Sequence, residues 1–144
     1  MFSKACEYGI RASIFIAERS LMGMKVSLKE VANAIDSPEA YTSKILQKLS
    51  RHEIVSSEKG PNGGYSIGKQ QIEKVMLNEI VFAIDGDKVY QGCGLGLPKC
   101  DAAKPCPAHH QFKKIRDELK DMLETTTVKS LTLGLSESLT FLKR

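Results

Sequence analysis

The sequence lacks several features that would assign it to a special class. No apolar run approaches the length needed to cross a bilayer, so no membrane association is expected. The opening residues MFSKACEYG contain no apolar signal stretch, so the chain is expected to stay in the reducing cytoplasm. No internal repeat and no low-complexity segment is present. What is left is a soluble globular protein of 144 residues, enough for one domain or for a domain with a helical extension.

The charge of the chain is only mildly basic. The formal net charge is +4, and residues 1–75 hold 11 basic and 8 acidic side chains against 10 and 9 in residues 76–144. A surplus of this size permits a polyanionic partner without establishing one.

The first fifty residues have the pattern of three helices. The first is predicted over about 3–21 from apolar residues at helical spacing, which are Ile10, Ile14, Ala17 and Leu21. A second begins at Ser27, because Ser27 and Glu30 have the spacing of a capping box. Pro38 ends this helix and fits the first position of the third, predicted over about 38–52.

The third helix has two different faces. We expect the buried face to hold Tyr41, Ile45, Leu46 and Leu49. The opposite face has no carboxylate after Glu39 and carries Thr42, Ser43, Lys44, Gln47, Lys48 and Arg51. Two short helices joined by a tight turn, the second with such a surface, form a helix-turn-helix. A small helical bundle with one solvated face would show the same pattern.

A β-hairpin is predicted directly after these helices. Residues 54–57 are typical of a strand, and the turn EKGPNGG follows with Asn62 and Gly63 as its central pair. A second strand is predicted from Tyr65, where apolar and polar residues alternate again. A hairpin in this position is the wing of a winged helix. The predicted fold is therefore mostly α-helical with a small β-hairpin wing. The expected partner is double-stranded DNA, with base contacts from Tyr41, Thr42, Ser43 and Lys44, and phosphate or minor-groove contacts from Lys48, Lys59, Asn62 and Gly63.

The second half contains three more helical patterns, the last of which is a short helix predicted near 127–134. A short helix that ends at Gly86 is predicted from Leu77, Ile80, Val81 and Ile84. A long helix is predicted from the seam Phe112, Ile115, Leu119 and Met122. Such a seam often packs within its own domain, but a DNA-binding protein needs two copies to span two half-sites, so a homodimer interface is predicted here. The predicted division is a winged helix-turn-helix domain over 1–75 and, over 76–144, the linker helix, a cysteine loop (93–109) and the dimerisation helix.

The stretch CGLGLPKCDAAKPCPAH from Cys93 to His109 is the most unusual part of the chain. Six residues separate Cys93 from Cys100, five separate Cys100 from Cys106, and two separate Cys106 from His109. A loop rich in Gly, Pro and Ala without a core of its own is a common setting for a bound metal or iron–sulfur cluster. No CxxC pair is present, which makes zinc less favoured, and the same spacing is compatible with a disulfide bond or with free thiols. A thiol enzyme that uses Cys106 and His109 would need a third orienting residue and a pocket motif, which the sequence does not show, so no enzymatic activity is expected.

The whole arrangement resembles the Rrf2 family of bacterial transcription regulators, which includes IscR-like and NsrR-like proteins. The segments that carry the resemblance are SKACEYGIRA, VSSEKGPNGGYSIGK and the three cysteines followed by a histidine. The resemblance implies a winged helix with a long dimerisation helix and a [2Fe–2S] or [4Fe–4S] cluster held by Cys93, Cys100 and Cys106. It leaves the fourth ligand, and with it the cluster type, open among His109, Glu7 of the other subunit and Cys6 beside Glu7. The gap between Cys93 and Cys100 is one residue longer than in the better known members.

Together these observations predict a cytoplasmic, homodimeric DNA-binding regulator, expected to act as a repressor. It would sense iron–sulfur status, nitric oxide or redox state through the cluster. The alternative is a winged-helix regulator whose cysteine loop is zinc-bound or responds by thiol oxidation, and a Cys/His thiol enzyme is less favoured.

Overall fold

The computed structural model of the chain describes residues 1–143. In that range the elements are α1 (Lys4–Leu21), α2 (Leu28–Ile35), α3 (Glu39–Arg51), β1 (Ser56–Glu58), β2 (Gly64–Ser66), α4 (Lys69–Lys74), α5 (Leu77–Asp85), α6 (Lys88–Gln91), α7 (His109–Thr125) and α8 (Val128–Ser136). The order of helices and hairpin is the predicted one. The short helices α4 and α6 were not predicted. None of the helices within 1–143 is long and apolar enough to span a bilayer.

Helix α1 lies at the centre of the fold. Ser3 caps it by accepting a hydrogen bond from the amide of Cys6. The helix packs against α2, α3, α5 and α8, so side chains from both halves of the chain share one buried cluster. At Gly9 an added Cβ would collide with Ile84, and this absence of a side chain allows α5 to approach α1 closely.

The helix-turn-helix forms as its local sequence predicts, except that Tyr41 and Thr42 exchange the buried and exposed faces of α3. The capping box of α2 is present in both directions: Ser27 Oγ accepts from the amide of Glu30, and the Glu30 carboxylate accepts from the amide of Ser27. Pro38 occupies the N-cap of α3 rather than its first helical position. The prediction that Tyr41 is buried and Thr42 exposed is wrong, because Tyr41 is 36% exposed and Thr42 is fully buried.

Helix α3 ends in a turn with Glu53 at the position where glycine is usual. The amide of Ile54 donates to the carbonyl of Leu49 and the amide of Glu53 donates to that of Ser50, both at 3.0 Å, which is the hydrogen-bond pattern of a Schellman motif. Glu53 therefore has a φ of 59°, in the left-handed region that is unfavourable for a residue with a Cβ.

Replacing Glu53 with glycine is expected to stabilise the protein. Glycine adopts this φ without the steric cost of a Cβ, so the free energy of unfolding should rise by about 1 kcal/mol. Thermal or denaturant unfolding would measure the change. Glu53→Ala is the matched control, since it removes the same carboxylate and keeps the Cβ. If the glycine variant were no more stable than the alanine variant, the cost assigned to this turn would be wrong.

The wing is a two-stranded antiparallel hairpin that is anchored to the chain before α2. Ser57 pairs with Tyr65 in the hairpin, and Tyr65 also exchanges backbone hydrogen bonds of 2.7 and 3.0 Å with Val26. The predicted turn pair is shifted by one residue. The amide of Gly63 donates to the carbonyl of Gly60, so the central residues are Pro61 and Asn62.

Helices α5 to α8 return the chain to α1. Helix α5 ends at Gly86, as predicted, with a φ of 70° at that glycine. The cysteine loop then leads from α6 to α7, and α8 packs against α1 and α4. The loop is therefore joined at both ends to helices that rest, directly or through α5, on the same core as the helix-turn-helix.

Candidate nucleic-acid interface and metal centre

One polar surface is formed by the exposed face of α3. Ser43 is partly exposed on it, and the side chains of Lys44, Gln47, Lys48 and Arg51 are exposed. Tyr41 stands at the amino-terminal end of this face, where its ring contacts that of Tyr8 edge to face at 5.7 Å. A helix with hydroxyl, amide and cationic groups on one face offers the donors that base edges and phosphates accept.

Thr42 lies behind this surface rather than on it. Its hydroxyl donates a hydrogen bond of 2.9 Å to the carbonyl of Pro38, one turn earlier, and its side chain is fully buried. A hydroxyl that is satisfied by its own helix can be buried at little cost. The prediction that Thr42 contacts bases is therefore wrong for this conformation, and Tyr41, Ser43 and Lys44 remain.

The wing presents the second part of the candidate interface. Lys59 and Asn62 are exposed, and Gly63 is partly exposed at the base of the turn. An added side chain at Gly63 would collide with the backbone of Glu58, so the tight tip requires glycine at that position. The Glu58 carboxylate lies 2.5 Å from Lys25 Nζ, which ties the wing to the residues before α2.

The cations of these two surfaces are available to a partner. Within residues 1–143, no ion pair involves Lys44, Lys48 or Lys59. An exposed lysine without a carboxylate neighbour can neutralise a phosphate without first breaking an existing pair. Both elements are thus suited to contact a polyanion.

The cysteine loop brings its four candidate ligands together as two pairs. Cys100 Sγ lies 3.5 Å from Nδ1 of His109, which is 6% exposed at the start of α7. Cys106 lies near Cys93, since its side chain contributes to the lowered pKa of the Cys93 thiol. All three thiols are partly exposed and unbridged.

Local hydrogen bonds favour the thiolate form of Cys93. The backbone amides of Leu95 and Leu97 donate to its sulfur and lower the pKa of the Cys93 thiol, with smaller contributions from Cys106 and the positive charge of Arg116. Thiolate is the form that binds metal, so the loop conformation suits a ligand role.

The surroundings of Cys100 and His109 carry positive charge. The two residues line an open cavity of about 790 Å³ between α6, the loop and α7. Four cations lie on its wall, Lys88, Lys99, Lys113 and Arg116, against the two carboxylates of Asp87 and Asp117. Such a wall is electrostatically suited to an anionic, thiolate-ligated centre.

The donor set fits an iron–sulfur cluster in its chemistry. Three thiols and an imidazole are the ligand types that such clusters take. Across residues 1–143, however, no three His, Cys, Asp or Glu side chains converge on one point. Binding would therefore require the two pairs to approach each other.

The two candidate ligands near the amino terminus differ in accessibility. Cys6 is fully buried, and burial together with the neighbouring Asp85 carboxylate raises the pKa of its thiol to about 12. It is therefore a core residue and not a ligand in this conformation. Glu7 is exposed, with its carboxylate 3.4 Å from Lys4 Nζ. His109 and Glu7 remain the candidates for the fourth position.

Helix α7 contributes loop contacts that the sequence did not reveal. The ring of Phe112 lies against Gly94, where an added side chain would collide with it. Arg116 donates hydrogen bonds to the carbonyl of Gly92 and to the sulfur of Cys100. Neither contact has a sequence signal beyond the three- and four-residue spacing that places His109, Phe112 and Arg116 on one face of a helix. Phe112 was predicted only as part of a dimer seam.

The other seam residues of α7 are unequally exposed. Ile115 is 57% exposed and Met122 is 45% exposed, whereas Leu119 is partly buried against the core of its own chain. The outward stripe is therefore narrower than the predicted seam.

Comparison with known proteins gives a consistent result. The sequence profile of Rrf2, described as an iron-dependent transcriptional regulator, matches residues 2–133. An HTH-type transcriptional regulator of Aquifex aeolicus is 29% identical over 133 residues, covering 91% of this chain and 90% of the relative. The regulator IscR of Photorhabdus laumondii is 26% identical over 124 residues, covering 86% of this chain and 74% of the relative. The solved structure of CymR, the global cysteine regulator of B. subtilis, superimposes with a TM-score of 0.74 at 22% identity, covering 92% of this chain and 95% of that one.

Proposed function

Since the chain belongs to the Rrf2 family of transcriptional regulators, we propose that it is a homodimeric DNA-binding repressor whose cysteine loop holds an iron–sulfur cluster. The family is one of regulators, so a thiol enzyme is set aside. The signal would be iron–sulfur status, nitric oxide or redox state.

The observation that carries the proposal is the pairing within the loop. Cys100 contacts His109, and Cys106 lies near Cys93. Arg116 of α7 holds the same segment through Gly92 and Cys100. Cys93, Cys100 and Cys106 would hold the cluster, with His109 or the Glu7 carboxylate of a second chain in the fourth position. Bound there, the cluster would supply a centre that oxidants and nitric oxide attack.

The chain's own residues can relay a change in the loop to the DNA-binding surface. His109, Phe112 and Arg116 join the loop to α7, α7 packs on α5, and α5 packs on both α1 and α3. If the loop lost its contacts with α7, the packing of α7 on α5 would change, and with it the packing of α5 against α3. In a dimer, this would change the separation of the two recognition helices.

Anaerobic purification followed by iron, sulfide and zinc analysis tests the cluster. Iron and sulfide in similar amounts would support it, and DNA affinity should then differ between loaded and metal-free protein. About one zinc per chain without sulfide would instead favour a structural metal in the loop. Metal-free protein whose DNA binding responds to peroxide through the thiols would favour thiol oxidation.

Replacing Lys59 with alanine is expected to weaken binding to all DNA sequences. A wing lysine that neutralises a phosphate releases a counterion, so its loss from both wings of the proposed dimer should reduce the slope of log affinity against log salt by about two. Fluorescence anisotropy at several salt concentrations, with specific and random duplexes, would measure this slope.

Two variants serve as controls for Lys59. Lys129→Ala removes the same charge from α8, where Lys129 pairs with Glu73, and should leave DNA binding unchanged. Ser43→Ala should instead relax base preference by about 1–3 kcal/mol at one or two positions and leave the salt slope alone. A normal salt slope for Lys59→Ala would show that the wing does not dock as proposed.

A further inference from the structure

Helix α7 grips the cysteine loop with one face. His109 contacts Cys100 at 3.5 Å, and Phe112 packs on Gly94. Arg116 contacts both Gly92 and Cys100, the two ends of the segment 92–100. The three side chains are spaced by three and four residues, so they stand one above the other on the helix.

The guanidinium of Arg116 makes a forked contact. Nη1 donates to the carbonyl of Gly92, and Nη2 donates to Cys100 Sγ at 3.1 Å. These acceptors flank residues 93–99, which contain neither helix nor strand. A planar guanidinium can hold two acceptors at once, whereas an ammonium acts as a point charge.

The other restraints on the segment are short-range contacts: the amides of Leu95 and Leu97 donate to the Cys93 sulfur, and Phe112 packs on Gly94. A turn closes where the amide of Gly96 donates to the carbonyl of Cys93 at 2.9 Å, and Gly96 has a φ of 75°. The side chains of Leu95 and Leu97 are about half exposed and contribute little burial. Three glycines in the stretch 92–96 increase the conformational freedom that ordering must overcome.

We infer that Arg116 is the positioning residue of the cysteine loop. Its fork holds Gly92 and Cys100 to α7, so that Cys93 and Cys100 are presented from one ordered segment, and it places a fixed positive charge beside Cys100. This role rests on the proposed function in one respect, since the ordered segment is meant to receive a cluster.

Metal-free protein provides the first test. In Arg116→Gln, amide hydrogen exchange across residues 92–100 should accelerate by about tenfold, because two anchoring hydrogen bonds are lost. Lys120→Gln is the matched control. It removes a cation from α7 outside this cavity, where Lys120 pairs with Glu124, and is expected to leave loop exchange unchanged. Unchanged exchange in Arg116→Gln would overturn the inference.

Cluster-loaded protein separates positioning from charge. Arg116→Lys keeps the charge and loses the fork, so the cluster lifetime in air should shorten by about tenfold while its midpoint potential stays near that of the parent. Arg116→Gln should shorten the lifetime similarly and also lower the potential, because a nearby cation favours the added electron. If the cluster of Arg116→Lys survived in air as long as that of the parent, charge alone would matter and the positioning role would be overturned.

The two proposals fail separately. A parent protein without iron and sulfide would refute the proposed cluster. The exchange experiment on metal-free protein would still decide whether Arg116 orders the loop.

Discussion

Alanine at any one of Cys93, Cys100 or Cys106 is expected to give a colourless protein that has lost the proposed cluster entirely. Each thiol has a different place in the loop: Cys100 sits with His109 and Arg116, and Cys93 sits with Cys106. The fold offers no spare thiol, since Cys6 is fully buried in the core. A loop without a core of its own depends on every ligand, so loss of one should release the cluster.

The measurement is the visible spectrum and iron content of each variant after anaerobic purification. All three variants should also share one DNA-binding behaviour, that of the cluster-free parent. Cys6→Ala is the control, because it removes a thiol from the core and should cost stability without removing colour. A variant of Cys93, Cys100 or Cys106 that kept a full cluster would remove that residue from the ligand set.

The fourth ligand can be found by comparing His109→Ala with Glu7→Ala. His109 is already 3.5 Å from Cys100, whereas Glu7 lies on α1 and would act from the other subunit. The variant that shifts the visible spectrum or shortens the cluster lifetime identifies the ligand. A shift in neither would place the fourth ligand outside both residues.

Much of the helical framework could be predicted from local sequence. The capping box of Ser27 and Glu30 works through residues three apart, and the end of α5 at Gly86 follows from a glycine with positive φ. Such signals depend on a few neighbouring residues, which is why they survive in the folded chain.

The mistakes came from residues whose environment depends on distant or competing partners. The sequence pattern places Tyr41 on the buried face of α3, yet Thr42 donates its hydroxyl to the carbonyl of Pro38 and takes the buried position. The predicted turn pair of the wing is off by one residue, and Tyr65 of the hairpin also pairs with Val26, a residue outside the local turn sequence.

The candidate metal centre was only partly predictable for the same reason. Cysteine and histidine spacing identified the possible ligands, which lie close together in sequence. The contacts of Phe112 and Arg116 with the loop join residues 16 to 24 positions apart, from Arg116 and Cys100 to Arg116 and Gly92. A lone arginine on a helix carries no sequence signal for such a contact, because the contact depends on how the loop folds back onto α7.

The exposed stripe of α7 offers the clearest test of the proposed dimer. Ile115 and Met122 are seven residues apart, so they lie two turns apart on the same face, and they are 57% and 45% exposed in the single chain. Isolated apolar side chains on a surface need no explanation, but a stripe along a long helix is typical of a helix–helix interface. Leu119 is a poorer probe, because it also packs against its own core.

Ile115→Glu is therefore expected to give a folded monomer. In the single chain the new carboxylate would face solvent, so the circular dichroism spectrum and the free energy of unfolding of the subunit should change little. In a dimer it would be buried without a partner, at a cost of about 3 kcal/mol or more, which weakens association on the order of 100-fold. Sedimentation would measure the mass, and binding to a palindromic duplex should lose its cooperativity.

Lys114→Gln is the matched control for this experiment. It changes the net charge by the same one unit on the neighbouring residue, which is exposed and pairs with Glu118 on a different side of α7. The control should remain as dimeric as the parent, because no charge is placed on the apolar stripe. If Ile115→Glu sedimented as a full dimer, the stripe of Ile115 and Met122 would not be the contact between subunits, and the two recognition helices would have to be paired through another surface.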